Sequence, residues 1–250
     1  MAQTTITWYG HSCVEVVTSG GTTILFDPWF GNPTSPKTAA AVEACDVMLV
    51  SHGHFDHLGS GPGKVREADA LAIARRTKPV WPCIHEMSLW LDEQLAGAGV
   101  QVVGMNVGGT FDAHGHRITM VPAVHSAGDW STAGEGPLYL GEPAGFIVEL
   151  EDGSRIYFAG HTTVFGDMAL IGELYRPNVA ILPIGGHYTM GPREAAHAVG
   201  LLGVREVIPI HWGTFPILAG TPGDLEAALA DRGLADVNVH ALDRGVPFER

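Results

Sequence analysis

The sequence predicts an α+β protein of four layers, an αββα sandwich in which two mixed β-sheets pack face to face and helices cover both outer faces. Short strand-like runs come in groups, each group is followed by helical patterns, and this order recurs along the chain. The 250 residues are 46% apolar and only 16% charged, which indicates a large core. Because no long polar linker interrupts the pattern, residues 1–250 are predicted to form a single domain.

Strands and helices of the first half are separated by clear turn signals. Gly10 and the run Ser19-Gly-Gly21 divide three short strands, and Pro79 ends the first long helix. The predicted strands are Thr5–Tyr9, Cys13–Thr18, Thr23–Asp27, Val47–Val50 and Val80–Ile84, and the predicted helices are Lys64–Arg76 and Glu86–Ala96. This half therefore supplies one sheet and one outer layer of helices.

The second half repeats this order with a longer loop. Residues 101–125 carry three strand-like runs, and the turn signal Asp152-Gly153 predicts a hairpin of Ala144–Leu150 with Arg155–Ala159. Later elements are the strands Val179–Pro183 and Val207–Ile210, a helix opened by Gly191-Pro192, and a last helix over Gly223–Arg232. Residues 126–143 form a glycine-rich loop with Asp129, Trp130, Tyr139 and Glu142, and a loop of this length is usually functional or mobile.

Charge and cysteine content exclude several classes of protein. The chain has 27 acidic and 14 basic residues, a net charge of −13, which speaks against nucleic acid as a partner because phosphate binding needs clustered Lys and Arg. Three cysteines without a CxxC spacing predict free thiols in a reducing, cytoplasmic setting. We find neither a leader pattern nor a run of about 20 apolar residues, so no membrane association is expected.

One run of the chain carries most of the functional signal. It places three imidazoles and one carboxylate directly after the buried strand Val47–Val50, which packing hardly explains. Neutral imidazole and carboxylate are ligands for divalent zinc, manganese, iron or nickel. Neighbouring side chains point in different directions, so this cluster is expected to divide between two metals and to take further ligands from other loops. Its members are His52, His54, Asp56 and His57.

Further histidines also follow strand-like runs, where loops tend to carry function. His125 and His211 are of this kind. His85 and His197 fall on predicted helices and are expected to be structural, whereas His114, His116 and His240 are expected at the surface. Candidate apolar walls of a pocket are Trp29, Phe30 and Trp212.

The cluster and several other motifs, in the same order, resemble the metallo-β-lactamase superfamily, in the branch of metal-dependent hydrolases close to the ascorbate-6-phosphate lactonases. The resemblance covers nearly the whole chain and implies the four-layer metallo-β-lactamase fold. The motifs are Trp8-Tyr-Gly-His-Ser12, Leu25-Phe-Asp-Pro28, His52-Gly-His-Phe-Asp-His57, Val121-Pro-Ala-Val-His125, Phe158-Ala-Gly160, Leu182-Pro-Ile-Gly-Gly-His187 and Pro209-Ile-His211.

This resemblance implies a division of the ligands between two metals. The first metal would be held by His52, His54 and His125, and the second by Asp56, His57 and His211. His11 and His187 would lie in the pocket and, with Asp56, take part in catalysis. Asp27 either hydrogen-bonds a ligating histidine or caps the turn at Pro28-Trp29.

One position departs from the superfamily pattern, which has Gly-Asp-Thr where this chain has Gly160-His161-Thr162. In the resembling proteins that Asp bridges the two metals, and a neutral imidazole cannot do the same because it offers a single lone pair. Three interpretations are open. His161 ligates one metal alone, or the site is weakened or holds a single metal, or the ring turns away.

The predicted function is that of a metal-dependent hydrolase, in which a metal-bound hydroxide attacks an ester, lactone or phosphodiester. Two divalent ions are expected, with zinc favoured and nickel, manganese, cobalt or iron as alternatives. The substrate would be a small molecule, and a site with a single ligating carboxylate favours an anionic one. The rival prediction is a non-catalytic or weakly active metal-binding protein, owing to His161. A homo-oligomer is compatible with the sequence.

Overall fold

Two seven-stranded mixed sheets lie at the centre of the computed structural model, which describes residues 3–130 and 137–250. The strands are β1 (Thr5–Trp8), β2 (Val14–Val17), β3 (Thr23–Phe26), β4 (Val47–Leu49), β5 (Val80–Ile84), β6 (Gln101–Met105), β7 (Thr110–Ala113), β8 (His116–Pro122), β9 (Gly128–Trp130), β10 (Pro137–Tyr139), β11 (Ala144–Glu149), β12 (Arg155–Phe158), β13 (Val179–Pro183), β14 (Glu206–Ile210), β15 (Asn238–Val239) and β16 (Phe248–Glu249). The helices are α1 (Phe55–Leu58), α2 (Asp69–Thr77), α3 (His85–Gln94), α4 (Met168–Tyr175), α5 (Pro192–Leu202) and α6 (Pro222–Asp231).

The strand order places the functional loops on one edge of each sheet. The first sheet has the order β16-β1-β2-β3-β4-β5-β6 and the second the order β15-β14-β13-β12-β11-β8-β7. Neighbours from β3 to β6 and from β12 to β15 are parallel. Two successive antiparallel pairings make β1 run in the same direction as β3, and β8 in the same direction as β12. The carboxyl ends of β1, β3 and β4 therefore share one edge, as do those of β8, β12, β13 and β14.

Successive side chains of a strand point to opposite faces of its sheet, and this alternation produces two apolar layers. Phe158 of β12 faces the first sheet and stacks on Phe26 of β3, with ring centroids 4.5 Å apart. Its neighbour Tyr157 belongs instead to the cluster between the second sheet and helices α4, α5 and α6, which includes Val199. Helices α2 and α3 pack with the first sheet through buried residues such as Leu71 and Leu91. The predicted αββα sandwich is confirmed.

Most predicted elements agree with the structure to within one or two residues, and β5 and β13 have the predicted bounds. The first long helix begins at Asp69 rather than Lys64, because a short 3₁₀ turn over Val65–Glu67 precedes it. No helix among the described residues is long and apolar enough to cross a membrane.

Three features were not predicted. The first is helix α4, which contains Gly172, and glycine in a sequence argues against a helix. A Cβ at this position would lie 2.5 Å from the carbonyl oxygen of Leu202, so the close approach of α4 to α5 requires glycine. The predicted loop 126–143 contains the antiparallel pair β9 and β10; its residues 131–136 lie outside the described ranges. The third feature is the short edge strands β15 and β16.

Candidate metal centre

Loops that follow seven strands meet at one edge of the sandwich, and each contributes at least one side chain to the centre or its cavity. The backbone ties these loops together: the N–H of His211 donates to the carbonyl of His11 (2.8 Å). The N–H of Val124 donates to Oγ1 of Thr162 (3.0 Å), which fixes the loop of His125 beside that of His161. The contributors are His11 after β1, Asp27 after β3, His52 and His54 after β4, His125 after β8, His161 after β12, Tyr188 after β13 and His211 after β14.

A first set of ligand atoms consists of imidazole nitrogens only. Nε2 of His52 lies 2.8 Å from Nδ1 of His54, and Nε2 of His125 lies 3.2 Å from Nδ1 of His161. The ligand atoms of these four histidines all lie within 4.8 Å of one another. We call His52, His54 and His125 the first set.

A second set adds a carboxylate. Nε2 of His11 lies 2.9 Å from Oδ2 of Asp56, and Nε2 of His57 lies 2.9 Å from Nε2 of His161. The ring of His211 lies against that of His11, with centroids 3.9 Å apart. Ligand atoms of these residues, including His161, again lie within 4.8 Å of one another. We call His11, Asp56, His57 and His211 the second set.

His161 is the side chain that the two sets share. Its Nδ1 faces His125 and its Nε2 faces His57, so the ring lies between them. The third interpretation of this position, a ring that turns away, is therefore wrong. Gly160 makes this placement possible, because it has φ 62° and a Cβ there would lie 2.6 Å from Cβ of Ser51 and 2.8 Å from the carbonyl oxygen of Ala144.

Asp27 supports the second set from behind. Its Oδ2 lies 2.6 Å from Nδ1 of His57, while the N–H and hydroxyl of Ser51 donate to Oδ1 and Oδ2 at 2.7 and 2.8 Å. Of the two roles considered for this residue, the structure therefore shows the contact with a candidate ligand. Burial raises the pKa of Asp27 well above its usual value, and the two Ser51 donors oppose that shift. Orientation of His57 by Asp27 leaves its Nε2 free to bind an ion.

Burial keeps five histidines of the centre neutral. It lowers the pKa of His52, His57, His161 and His211 well below the usual value, and the neighbouring imidazoles lower it further. Burial and the nearby His54 lower the pKa of His125 to about 4. Burial alone would raise the pKa of Asp56, but the hydrogen bond and electrostatic interaction with His11 bring it below its usual value. At neutral pH these five histidines thus present neutral nitrogens and Asp56 an ionised carboxylate, the forms that bind divalent metals.

The spacing of these atoms fits a metal centre. Nitrogens that bind one ion at about 2.0–2.1 Å lie about 2.8–3.4 Å apart for angles between 90° and tetrahedral. The nitrogen pairs above are separated by 2.8 to 3.2 Å. Both ring nitrogens of His211 and Nδ1 of His11 are buried and have no hydrogen-bond partner among the described residues. Buried nitrogens of this kind are costly unless something binds them.

Of the two histidines expected in the pocket, the structure places only one there. His11 is buried, contacts Asp56 and lines the cavity. His187 is exposed and lies outside both sets, with its ring 4.4 Å from that of Tyr188. The reason is a turn in which Gly186 and His187 both have positive φ, 73° and 61°, so that Tyr188 lines the cavity instead. The expectation of a catalytic role for His187 therefore lacks the geometry it needs.

A cavity of about 550 Å³ opens onto both sets. Its apolar wall was not predicted: the expected Trp29 is buried behind His11 (centroids 5.1 Å apart), and Trp212 packs on Trp8. Phe215 and Ile217 lie in the same loop as His211, directly after a strand. That position in the sequence could have identified them as lining residues. The lining residues are His11, His54, Phe55, Asp56, His125, Ser126, Gly128, Asp129, His161, Tyr188, Phe215 and Ile217.

One other expectation about the histidines is wrong. His116 is 2% exposed rather than at the surface, because it begins the interior strand β8 and its Nδ1 lies 3.2 Å from Glu151. The histidines expected on helices are where they were predicted, since His85 begins α3 and His197 lies within α5.

Comparison with known proteins gives consistent matches. The profile of the beta-lactamase superfamily domain matches residues 22–212. The UPF0173 metal-dependent hydrolase of Koribacter versatilis is 47% identical over 223 residues, 88% of this chain and 89% of that protein. That of Herpetosiphon aurantiacus is 46% identical over 231 residues, 92% and 91% of the two chains. The structure of Igni18, a metallo hydrolase from the archaeon Ignicoccus hospitalis, is 36% identical over 100% of both chains, with a TM-score of 0.81.

Proposed function

This chain belongs to the UPF0173 metal-dependent hydrolases of the beta-lactamase superfamily, and from that premise we propose that it binds two divalent ions at the two ligand sets and hydrolyses a small-molecule ester or lactone. The observation that carries the proposal is the convergence of the first and second sets on His161, with Asp56 facing the cavity. Closeness to the lactonases stays a prediction from the motifs.

The proposed ligands divide between the two ions. His52, His54 and His125 hold the first ion, and Asp56, His57 and His211 hold the second. His161 lies between them and binds one of the two ions, because a neutral imidazole offers a single lone pair. His11 is assigned to a supporting role, because its Nε2 donates to Asp56 and orients that carboxylate.

Zinc is the proposed metal. The two sets together present imidazole nitrogens with a single carboxylate, and nitrogen-rich sites favour zinc, nickel or cobalt over manganese or magnesium. Competition dialysis of zinc against manganese tests this choice. Tighter binding of manganese would contradict it.

The residues around the cavity define how water and substrate are held. When bound, the ions would lower the pKa of water and polarise the substrate carbonyl. Asp56 is ionised at neutral pH, so it can accept a hydrogen bond from the attacking water and hold its proton. His11 keeps Asp56 in place, and the buried Trp29 behind His11 excludes bulk water from that side.

Metal analysis combined with hydrolysis tests the proposal. Protein purified without chelator should contain about two ions per chain. Exhaustive chelation should abolish hydrolysis of p-nitrophenyl esters, and added zinc should restore it. A fully metal-loaded protein that cleaves neither esters nor lactones would overturn the proposed substrate.

A second candidate is a weakly active metal-binding member of the family. Its specific support is His161, which stands where a bridging carboxylate would neutralise two cations. This candidate predicts full metal content with little turnover, and turnover that rises strongly in His161→Asp. Equal or lower turnover in that variant would exclude it.

A further inference from the structure

Part of the cavity lining outside the ligand sets is apolar. Phe55, Tyr188, Phe215 and Ile217 form its apolar part. Tyr188 and Ile217 are 58% and 47% exposed, and both line the cavity. Such exposed apolar groups around a functional cavity mark a place that a ligand covers.

No lysine or arginine lines this cavity among the described residues. The sequence at 131–136, Ser-Thr-Ala-Gly-Glu-Gly, contains no basic residue either. A substrate with a phosphate or carboxylate away from its reacting bond would therefore place that charge in the cavity with no cationic side chain among the described lining residues to pair with it, which is costly.

We propose, on the basis of the function proposed above, that the substrate is an uncharged carboxylic ester or lactone with an apolar acyl portion, which lies against Phe55, Tyr188, Phe215 and Ile217. In the reaction the oxygen of water bonds to the acyl carbon and the acyl C–O bond breaks. The alcohol leaves with one proton of water, and the acid is released as carboxylate and a second proton. This assignment disfavours a substrate whose anionic group lies away from the reacting bond, whereas a phosphodiester carries its charge at the reacting phosphorus and is distinguished by experiment.

The size of the cavity sets a second expectation. About 550 Å³ accommodates a chain or ring of several carbons beyond the carbonyl. Each methylene buried against an apolar wall raises affinity about fourfold. Specificity should therefore increase from p-nitrophenyl acetate through the butyrate to the hexanoate.

A matched pair of esters tests the proposal. p-Nitrophenyl hexanoate and mono-p-nitrophenyl adipate differ only by the replacement of a terminal methyl group with a carboxylate. In the zinc-loaded protein we expect kcat/KM for the hexanoate to exceed that for the adipate by more than about 30-fold, the order of a poorly compensated buried charge. Bis(p-nitrophenyl) phosphate should be slower than both. Adipate or phosphodiester turnover equal to that of the hexanoate would overturn the proposal.

A charge introduced into the wall sharpens this test. Ile217→Lys should reduce the ratio of hexanoate to adipate by about tenfold or more, because the new ammonium pairs with the terminal carboxylate. Ile217→Gln is the matched control and should not raise kcat/KM for the adipate, because its side chain is uncharged. If the ratio stays the same in Ile217→Lys, the substrate does not reach this wall and the proposal is wrong.

Binding to the metal-free protein separates this inference from the function on which it rests. Methyl hexyl ketone should bind more tightly by calorimetry than its analogue with a terminal carboxylate, and Ile217→Lys should reverse that order. If the zinc-loaded protein cleaves none of the esters while the ketone preference holds, the proposed function fails and the apolar ligand class stands. If the carboxylate analogue binds as tightly as the ketone, the ligand class is wrong.

Discussion

The two ligand sets that meet at His161 differ in charge and in enclosure. The first set (His52, His54 and His125) consists of imidazoles, and His54 and His125 are only partly buried where they face the cavity. The second set (His11, Asp56, His57 and His211) contains a carboxylate, and its three histidines are at most 1% exposed. A second carboxylate, Asp27, lies behind it.

This difference predicts that the two proposed ions bind with different affinities and have different roles. A carboxylate partly neutralises a cation, and an outer hydrogen bond to His57 holds that ligand in place, so the second set should bind the tighter ion. The first set contains no carboxylate, its outer contact is between Nδ1 of His52 and the neutral hydroxyl of Ser51 (3.0 Å), and it is open to the cavity. We therefore expect its ion to exchange more readily and to meet the substrate.

Removal of the shared ligand should have the largest effect. In His161→Ala one ion loses a ligand, because a neutral imidazole binds a single ion, and the other loses the ring that lies beside it, so metal content should fall from about two ions per chain to one or fewer. Hydrolysis should fall by more than the 10–100-fold typical for loss of an outer partner. Elemental analysis and ester hydrolysis measure the two effects.

His161→Asp is the matched variant for this position. Its carboxylate can contact both ions, so metal content should be retained and X-ray absorption should show a metal–metal distance near the ~3.5–4 Å of paired sites. Retention of both ions in His161→Ala would show instead that the sets do not depend on His161.

Loss of one ligand from a single set should remove about one ion. His54→Ala or His125→Ala should leave a protein with the second ion still bound, whereas His211→Ala should weaken the tighter site. The fold should persist in all three by circular dichroism, because these residues lie on loops at the edge of the sandwich. Unchanged metal content in both His54→Ala and His125→Ala would contradict the assignment of the first set.

Removal of the outer carboxylate should have an intermediate effect. Asp27→Asn should weaken the second ion by about 10–100-fold in a zinc titration and the first ion less, because Asp27 contacts His57 directly but reaches His52 only through the Ser51 hydroxyl. Asp46→Asn is the control, because Asp46 also joins the β3 and β4 region, by accepting the N–H of Thr23 (2.8 Å), but at the opposite edge of the sheet. Equal weakening in both variants would mean that Asp27 acts only through general stability.

Partial metal removal should have the smallest effect and tests the exchange order directly. With limiting chelator, about one ion per chain should leave first, and it should be the ion that His54→Ala fails to bind. Cobalt substitution at that vacated position would give a visible spectrum by which to follow it. Simultaneous loss of both ions would remove the distinction between the sets.

Much of the fold could be predicted because its signals are local. Apolar runs such as Val179–Pro183 are bounded by turn residues and form strands as predicted. Helix α4 and the pair β9 and β10 were missed, because Gly172 and the glycine-rich composition of 126–143 are signals against regular structure. Contacts with neighbouring elements outweigh those local preferences.

The candidate ligands were predictable for a related reason. His52, His125 and His211 each follow a predicted strand, and parallel strands end at a common edge, so their proximity follows from topology. The failure of His187 to reach the cavity did not follow. A left-handed backbone at that residue decides which of two adjacent side chains enters, and the sequence does not fix that angle.

By itself the sequence determined the four layers, the edge at which function is concentrated and the residues able to bind metal, because periodicity and strand-end position act over a few residues. Only the tertiary structure decided that His161 lies between two ligand sets, that Asp27 contacts His57, and that a cavity with an apolar wall opens onto both sets. These relations join residues that lie between 30 and 104 positions apart in sequence or depend on single backbone angles. They arise when two sheets pack together, and no local pattern encodes that step.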